Sequence, residues 1–156
     1  MNILFVCTGN TCRSPMAEGI ARAIVIERDL HDVVVQSAGT FANTDSPASD
    51  GALLVALEQG IDLSAHRAQQ LTDDLVQWSD LILVMGPQHL DRAETLGGER
   101  KTHLLTSFAS RGENTRAVND PFGSDLPTYR ATFEELVQEI GDALDRVASE
   151  RHQPPV

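Results

Sequence analysis

The chain has 156 residues, and its 12 basic and 23 acidic side chains give a formal net charge of -11. That balance excludes nucleic acid and anionic membrane surfaces as partners, and it leaves any anionic ligand to be held by local groups rather than by the global field. The length suits one domain with a full core; 41% of residues are hydrophobic but only 4% aromatic, so an aliphatic core is expected.

Residues 3–6 are an apolar run closed by Cys7-Thr8-Gly9-Asn10 and read as a buried strand. A helix is predicted from Ser14 to about Arg28, with Ser14 as N-cap, Pro15 at the first helical position, and Met16, Ala17, Ile20, Ala23 and Ile24 at helical spacing. Residues 33–38 read as a second strand that Gly39 ends. Residues 40–48 are a polar loop expected near the first one. Asp50 to Gln59 reads as a helix stopped by Gly60. Residues 61–67 connect to a short helix, Thr72 to Trp78, and residues 81–85 are the clearest buried strand.

Pro87 to about Leu96 reads as a helix, Gly97-Gly98 as a turn, and residues 102–105 as a weaker fourth strand. Residues 106–127 are expected to be a polar, irregular loop carrying Asp120-Pro121-Phe122-Gly123; a loop that long in a compact domain usually serves function. A long amphipathic helix from Thr128 to about Glu150 closes a single domain, 1–150, and residues 151–156 are expected to be a disordered tail. No apolar run reaches membrane-spanning length, and Met1-Asn2 leads straight into the first strand. The two cysteines form no structural disulfide framework, so a cytoplasmic, reduced protein is expected. The sequence assigns no oligomeric state.

Four buried strands alternating with helices specify an α/β fold, a parallel sheet with helices on both faces. Ligands of such folds bind beyond the carboxyl ends of the strands. Cys7 lies at that end of the first strand, and the loop carrying Asp120 follows the fourth, so the topology permits the two to meet over one pocket.

The segment from Cys7 to Ser14 reads as an anion site. A strand, a tight polar loop and a helix N-terminus let the amides of Thr8 to Arg13 converge, and the helix adds its positive end. That end and an arginine both favour the thiolate of a cysteine placed beside them. Arg13 brings a fork of donors that matches two phosphate oxygens. A nucleophile beside an oxyanion cradle points to phosphoryl transfer through a phosphocysteine. Taken alone, Asp120 before a proline is as much a turn former as an acid. Ser37 is equally a strand-end cap, Asn10 equally a residue tolerating an unusual backbone conformation, and Cys12 equally a passive loop residue. His31, His66, His89, His103 and His152 lack metal-ligand spacing and read as surface or structural, so no metal or cofactor is expected. Trp78 reads as core or half-buried, and Tyr129 as lining a pocket mouth or capping the last helix.

The run Val6-Cys-Thr-Gly-Asn-Thr-Cys-Arg-Ser-Pro-Met-Ala-Glu18 closely resembles the signature of the low-molecular-weight protein-tyrosine phosphatase family. Segments 37–40, 60–67, 80–85 and 120–122 are similar to family segments in the family's order, so the resemblance runs from residue 3 to about 148. It implies a flavodoxin-like fold and a metal-free phosphatase acting on phosphorylated proteins. Cys7 would be the nucleophile, Arg13 the ligand of the phosphoryl oxygens, and Asp120 the general acid and then base. Thr8, Gly9, Asn10, Thr11, Cys12, Ser14 and Phe122 would form the substrate-binding set. Within it Asn10 and Ser14 would hold the cradle and the thiolate. Ser37 would support Asn10, and Cys12 matches the neighbour that forms a reversible disulfide with Cys7.

Two positions depart from the tyrosine-phosphatase pattern: Thr11 stands where isoleucine is usual, and Phe122 where tyrosine is usual. Together they resemble the bacterial protein-arginine phosphatase branch. A guanidinium needs acceptors, and a threonine hydroxyl is one, whereas a phenol ring favours an apolar wall. Phe122 can flank either planar group. Phosphoarginine is therefore the expected substrate and phosphotyrosine the alternative. An arsenate reductase would need further cysteines, and none follows Cys12. A non-catalytic redox or anion-binding module is the third reading, against which Arg13 and Asp120 count, since a disulfide switch would need neither.

Overall fold

The computed structural model describes residues 1–151. Four strands, β1 (Asn2–Cys7), β2 (Val34–Gly39), β3 (Leu81–Val84) and β4 (Thr102–Leu104), form one parallel sheet in the order β2-β1-β3-β4. From β1 the chain first crosses outward to β2 and then returns to β3 on the other side. The carboxyl end of β1 is therefore the switch point of the sheet, and Cys7 is its last residue.

Alternation along β1 assigns its side chains to two layers. Ile3 and Phe5 pack beneath α1 (Arg13–Glu27), α2 (Asp50–Glu58), α5 (Leu105–Ala109) and α6 (Leu126–Arg151), through residues such as Met16, Val55, Phe108 and Ile140. Leu4 and Val6 join Ile82, Val84 and Ala93 under α3 (Asp73–Trp78) and α4 (Pro87–Ala93). Trp78 is half-buried at the margin of this second layer. The largest fully buried side chains are almost all aliphatic, with Phe5 the exception. No helix among the described residues is long and apolar enough to cross a membrane.

Several boundaries differ from the sequence reading. α1 begins at Arg13, and Ser14 caps nothing, because its hydroxyl is engaged inside the loop. The stretch read as irregular from residue 106 contains α5, whose Leu105 and Phe108 lie three apart and bury one face of a single helical turn. Arg146 covers that turn, with its guanidinium 4.2 Å from the Phe108 ring centroid and an Nη1 bond of 3.0 Å to the Phe108 carbonyl. α6 starts two residues early, at Leu126, with Pro127 in its first turn, where a missing amide is harmless. Of the tail read as disordered, Arg151 belongs to α6, and residues 152–156 lie outside the described residues.

Backbone bonds draw the loops together at the switch point. Thr40 N–H donates to Cys7 O at 3.0 Å, Phe41 N–H to Thr8 O at 2.9 Å and Ser49 N–H to Thr11 O at 2.8 Å, so residues 40–49 wrap the first loop. Val118 N–H donates to Met85 O at 2.8 Å and brings the segment carrying Asp120 over the end of β3. Gly39 makes the close approach possible, since a Cβ there would lie 2.4 Å from Thr8 O. Gly39→Ala should therefore displace the loop: we expect a loss of about 1–3 kcal/mol in urea unfolding. An unchanged unfolding midpoint would show that the contact relaxes without cost.

Candidate active site

The loop between β1 and α1 is shaped by Asn10, which is fully buried and has φ 57°, a left-handed conformation that asparagine tolerates better than most residues. Gln69 N–H donates to Asn10 Oδ1 at 2.9 Å, which fixes the orientation of the amide. Asn10 Nδ2 then donates to Ser14 Oγ at 2.7 Å and to Ser37 Oγ at 2.9 Å. His66 Nε2 donates to the Asn10 carbonyl at 2.7 Å. Every polar group of the Asn10 side chain is satisfied in the interior, as burial requires.

This network ends at sulfur. Ser14 Oγ accepts from Asn10 and lies 2.9 Å from Cys7 Sγ and 3.5 Å from the Ala38 carbonyl, so its hydroxyl links the buried amide to the sulfur. Cys7 is 3% exposed and sits at the floor of a cavity of about 350 Å³. Thr8, Gly9, Thr11, Cys12, Arg13, Phe41, Asp120 and Phe122 line the rest. Among the described residues, none of the amides from Gly9 to Cys12 donates to another protein group, which leaves them available to an anion.

Arg13 is buried at 4% exposure. Its Nη1 donates to Val118 O at 3.2 Å, and its Nη2 lies 3.4 Å from Asp120 Oδ2. Asp120 does form a turn, accepting the Phe122 N–H at 3.1 Å, yet its carboxyl remains half-exposed toward the cavity. The fold therefore brings a thiol, a guanidinium and a carboxyl to one opening. That set can attack phosphorus, hold its oxygens and move a proton.

Of the residues singled out from sequence, eight line the cavity, while Asn10, Ser14 and Ser37 lie behind it. Both thiols are free. Cys12 Sγ contacts Ser49 Oγ at 3.2 Å and Tyr129 Oη at 3.4 Å. Tyr129 thus neither lines the mouth nor caps α6: it is buried under the loop, where Gly51 leaves room for its ring. Burial, then the bond to Cys12, pushes its hydroxyl up to about 12.

Sequence reasoning missed Phe41, an exposed ring on the loop that was expected nearby. It also missed the backing residues His66, Gln69 and Ser49, whose contacts span tens of residues and leave no local pattern. His89 was missed as well. It is fully buried, with Nε2 2.8 Å from Thr8 Oγ1 and Nδ1 accepting the Gly86 N–H at 3.0 Å.

A model of the family described as low molecular weight phosphotyrosine protein phosphatase matches residues 2–153. The chain belongs to this family. A protein-arginine-phosphatase of Geobacillus stearothermophilus is 40% identical over 96% of this chain and 97% of its own length. A probable low molecular weight protein-tyrosine-phosphatase, EpsP of Ralstonia nicotianae, is 52% identical over 93% and 94%. Among solved structures, the arginine phosphatase YwlE, as a cysteine-to-serine mutant with a phosphorylated active-site serine, superposes with a TM-score of 0.90 at 35% identity, covering 97% of this chain and 98% of that one. This phosphatase therefore has the fold that its sequence implied.

His89 supplies a pH handle on this phosphatase. Burial, reinforced by the nearby Arg13 charge and opposed by Asp120, lowers its ring from the ordinary 6.5 to about 4. The unfolded chain takes up this proton below pH 6.5 while the folded chain does not, so the stabilising contribution is complete above 6.5 and is lost as pH falls toward 4. Between pH 7 and 4 the protein should lose about 2–3 kcal/mol more unfolding free energy than His89→Asn. Parallel pH profiles of the two in urea unfolding would refute a neutral buried ring.

Proposed function

We propose that this phosphatase removes the phosphoryl group from phosphoarginine on proteins. The Cys7 thiolate attacks phosphorus, a sulfur–phosphorus bond forms, and the bond to the guanidino nitrogen breaks as Asp120 delivers a proton to that nitrogen. Water then attacks the phosphocysteine, Asp120 takes its proton, and inorganic phosphate leaves with the thiolate restored. Arg13 and the free loop amides bind the three oxygens throughout.

What carries the arginine assignment is a pair of acceptors in one cavity, the Thr11 hydroxyl and the Asp120 carboxyl. A guanidinium can donate to both, while the esterified phenol oxygen of phosphotyrosine has no proton to donate. The arginine phosphatases among the relatives support the same reading. The tyrosine-phosphatase reading has its own support in the two exposed rings at the mouth, Phe41 and Phe122, and in the 52% identity to EpsP. Two free thiols fit a cytoplasmic setting, and the presence of Cys12 in the same cavity wall as Cys7 supports a reversible disulfide between them under oxidation.

Phosphoarginine and phosphotyrosine peptides of one sequence, assayed side by side, should give the higher kcat/KM for phosphoarginine. Thr11→Ile should shift that ratio toward phosphotyrosine by about tenfold or more. A parent preference for phosphotyrosine refutes the assignment. Asp120→Asn should lower kcat by about 10²–10⁴-fold, and retention of full turnover on a slow-leaving substrate would remove Asp120 from the mechanism.

A further inference from the structure

We propose that His89 is a positioning residue that fixes the Thr8 hydroxyl as a hydrogen-bond donor to a phosphoryl oxygen in the cavity. The Gly86 N–H can only donate. It points at His89 Nδ1 at 3.0 Å, so that nitrogen carries no proton. In the neutral ring the proton therefore sits on Nε2, 2.8 Å from Thr8 Oγ1. Thr8 Oγ1 must accept this bond, and its own proton is turned away from the histidine.

Thr8 is exposed and lines the cavity with Cys7, Arg13 and Asp120. Among the described residues its hydroxyl has no acceptor. A proton directed away from His89, on a side chain next to the nucleophile, is a donor waiting for an oxygen. A threonine hydroxyl left free would rotate between donor and acceptor roles, and the histidine removes that choice. The ring itself is fully buried and touches no ligand, so it acts only through Thr8. The inference rests on the reading of this cavity as a phosphoryl site.

The test is titration of inorganic phosphate into the full chain by calorimetry, with kcat/KM on a phosphoarginine peptide measured in parallel and thermal melts to show that each variant folds. Thr8→Val and His89→Asn should each weaken phosphate binding about ten- to hundredfold, the effect of one hydrogen bond to a charged group, and lower kcat/KM to a similar extent. The double variant should be no worse than either single one. His89→Asn keeps an acceptor for the Gly86 amide and loses the donor to Thr8, while His89→Gln keeps the donor and should recover at least half of the lost affinity. If the histidine only holds Gly86, the order reverses, with His89→Asn binding as the parent does and His89→Gln failing. That order, additivity in the double variant, or parent-like affinity in Thr8→Val overturns the proposal. If His89→Asn does not fold, Thr8→Val decides alone. A parent chain that binds phosphate with the expected variant pattern but hydrolyses no phosphoarginine overturns the substrate assignment and leaves this inference standing.

Discussion

The site depends on one backbone conformation. Asn10 turns the chain through the left-handed region in the middle of the loop, and four hydrogen bonds to its side chain and carbonyl hold it there. A non-glycine residue with positive φ is strained, and the strain persists only where the surroundings over-determine it. Here the surroundings are Ser37 at the end of β2, His66 and Gln69 on the connector before α3, and Ser14 in the first turn of α1. By tying the loop to three separate parts of the chain, Asn10 links the formation of the site to the completion of the fold. The same amide that fixes the backbone also holds Ser14, whose hydroxyl lies against Cys7 Sγ.

Two layers with different tasks follow from this. The front layer lines the cavity: Cys7, Thr8, Thr11, Arg13, Phe41, Asp120 and Phe122. The back layer is buried and sets the directions of protons and lone pairs. Burial makes this second task reliable, because a buried polar group left without its partner is costly, and each alternative arrangement would strand one. Substrate choice belongs to the front layer. Thr11 and the two phenyl rings can change without disturbing the Asn10 network, which accounts for one scaffold serving relatives named for two different phospho-residues.

The front layer was legible because its chemistry is written locally. Cys7, Arg13 and Ser14 lie within one strand-loop-helix unit, and strand order alone brought Asp120 to the same edge. The parallel sheet was legible from four apolar runs. The helix cap was misread for an instructive reason: Ser14 before Pro15 has the local pattern of an N-cap, but its hydroxyl makes a tertiary bond to sulfur, and tertiary chemistry overrode the local preference. α5 escaped notice because one turn with two apolar residues is too short for periodicity to register. Tyr129, His66 and His89 were opaque because their partners at the loop lie 56 or more positions away, and a lone histidine or tyrosine looks the same whether it faces solvent or backs a loop.

The central claim is that this arrangement makes Cys7, and no other residue, the carrier of the phosphoryl group. The most direct measurement is rapid acid quenching of the full chain mixed with a phosphoarginine peptide, followed by mass spectrometry of the peptide containing both cysteines. One phosphoryl group is expected on Cys7 of the parent chain, forming more slowly in Asp120→Asn, which lacks the acid of the first step. Phosphate on Cys12 or on another side chain, or turnover with no phosphoenzyme at any time point, would contradict it.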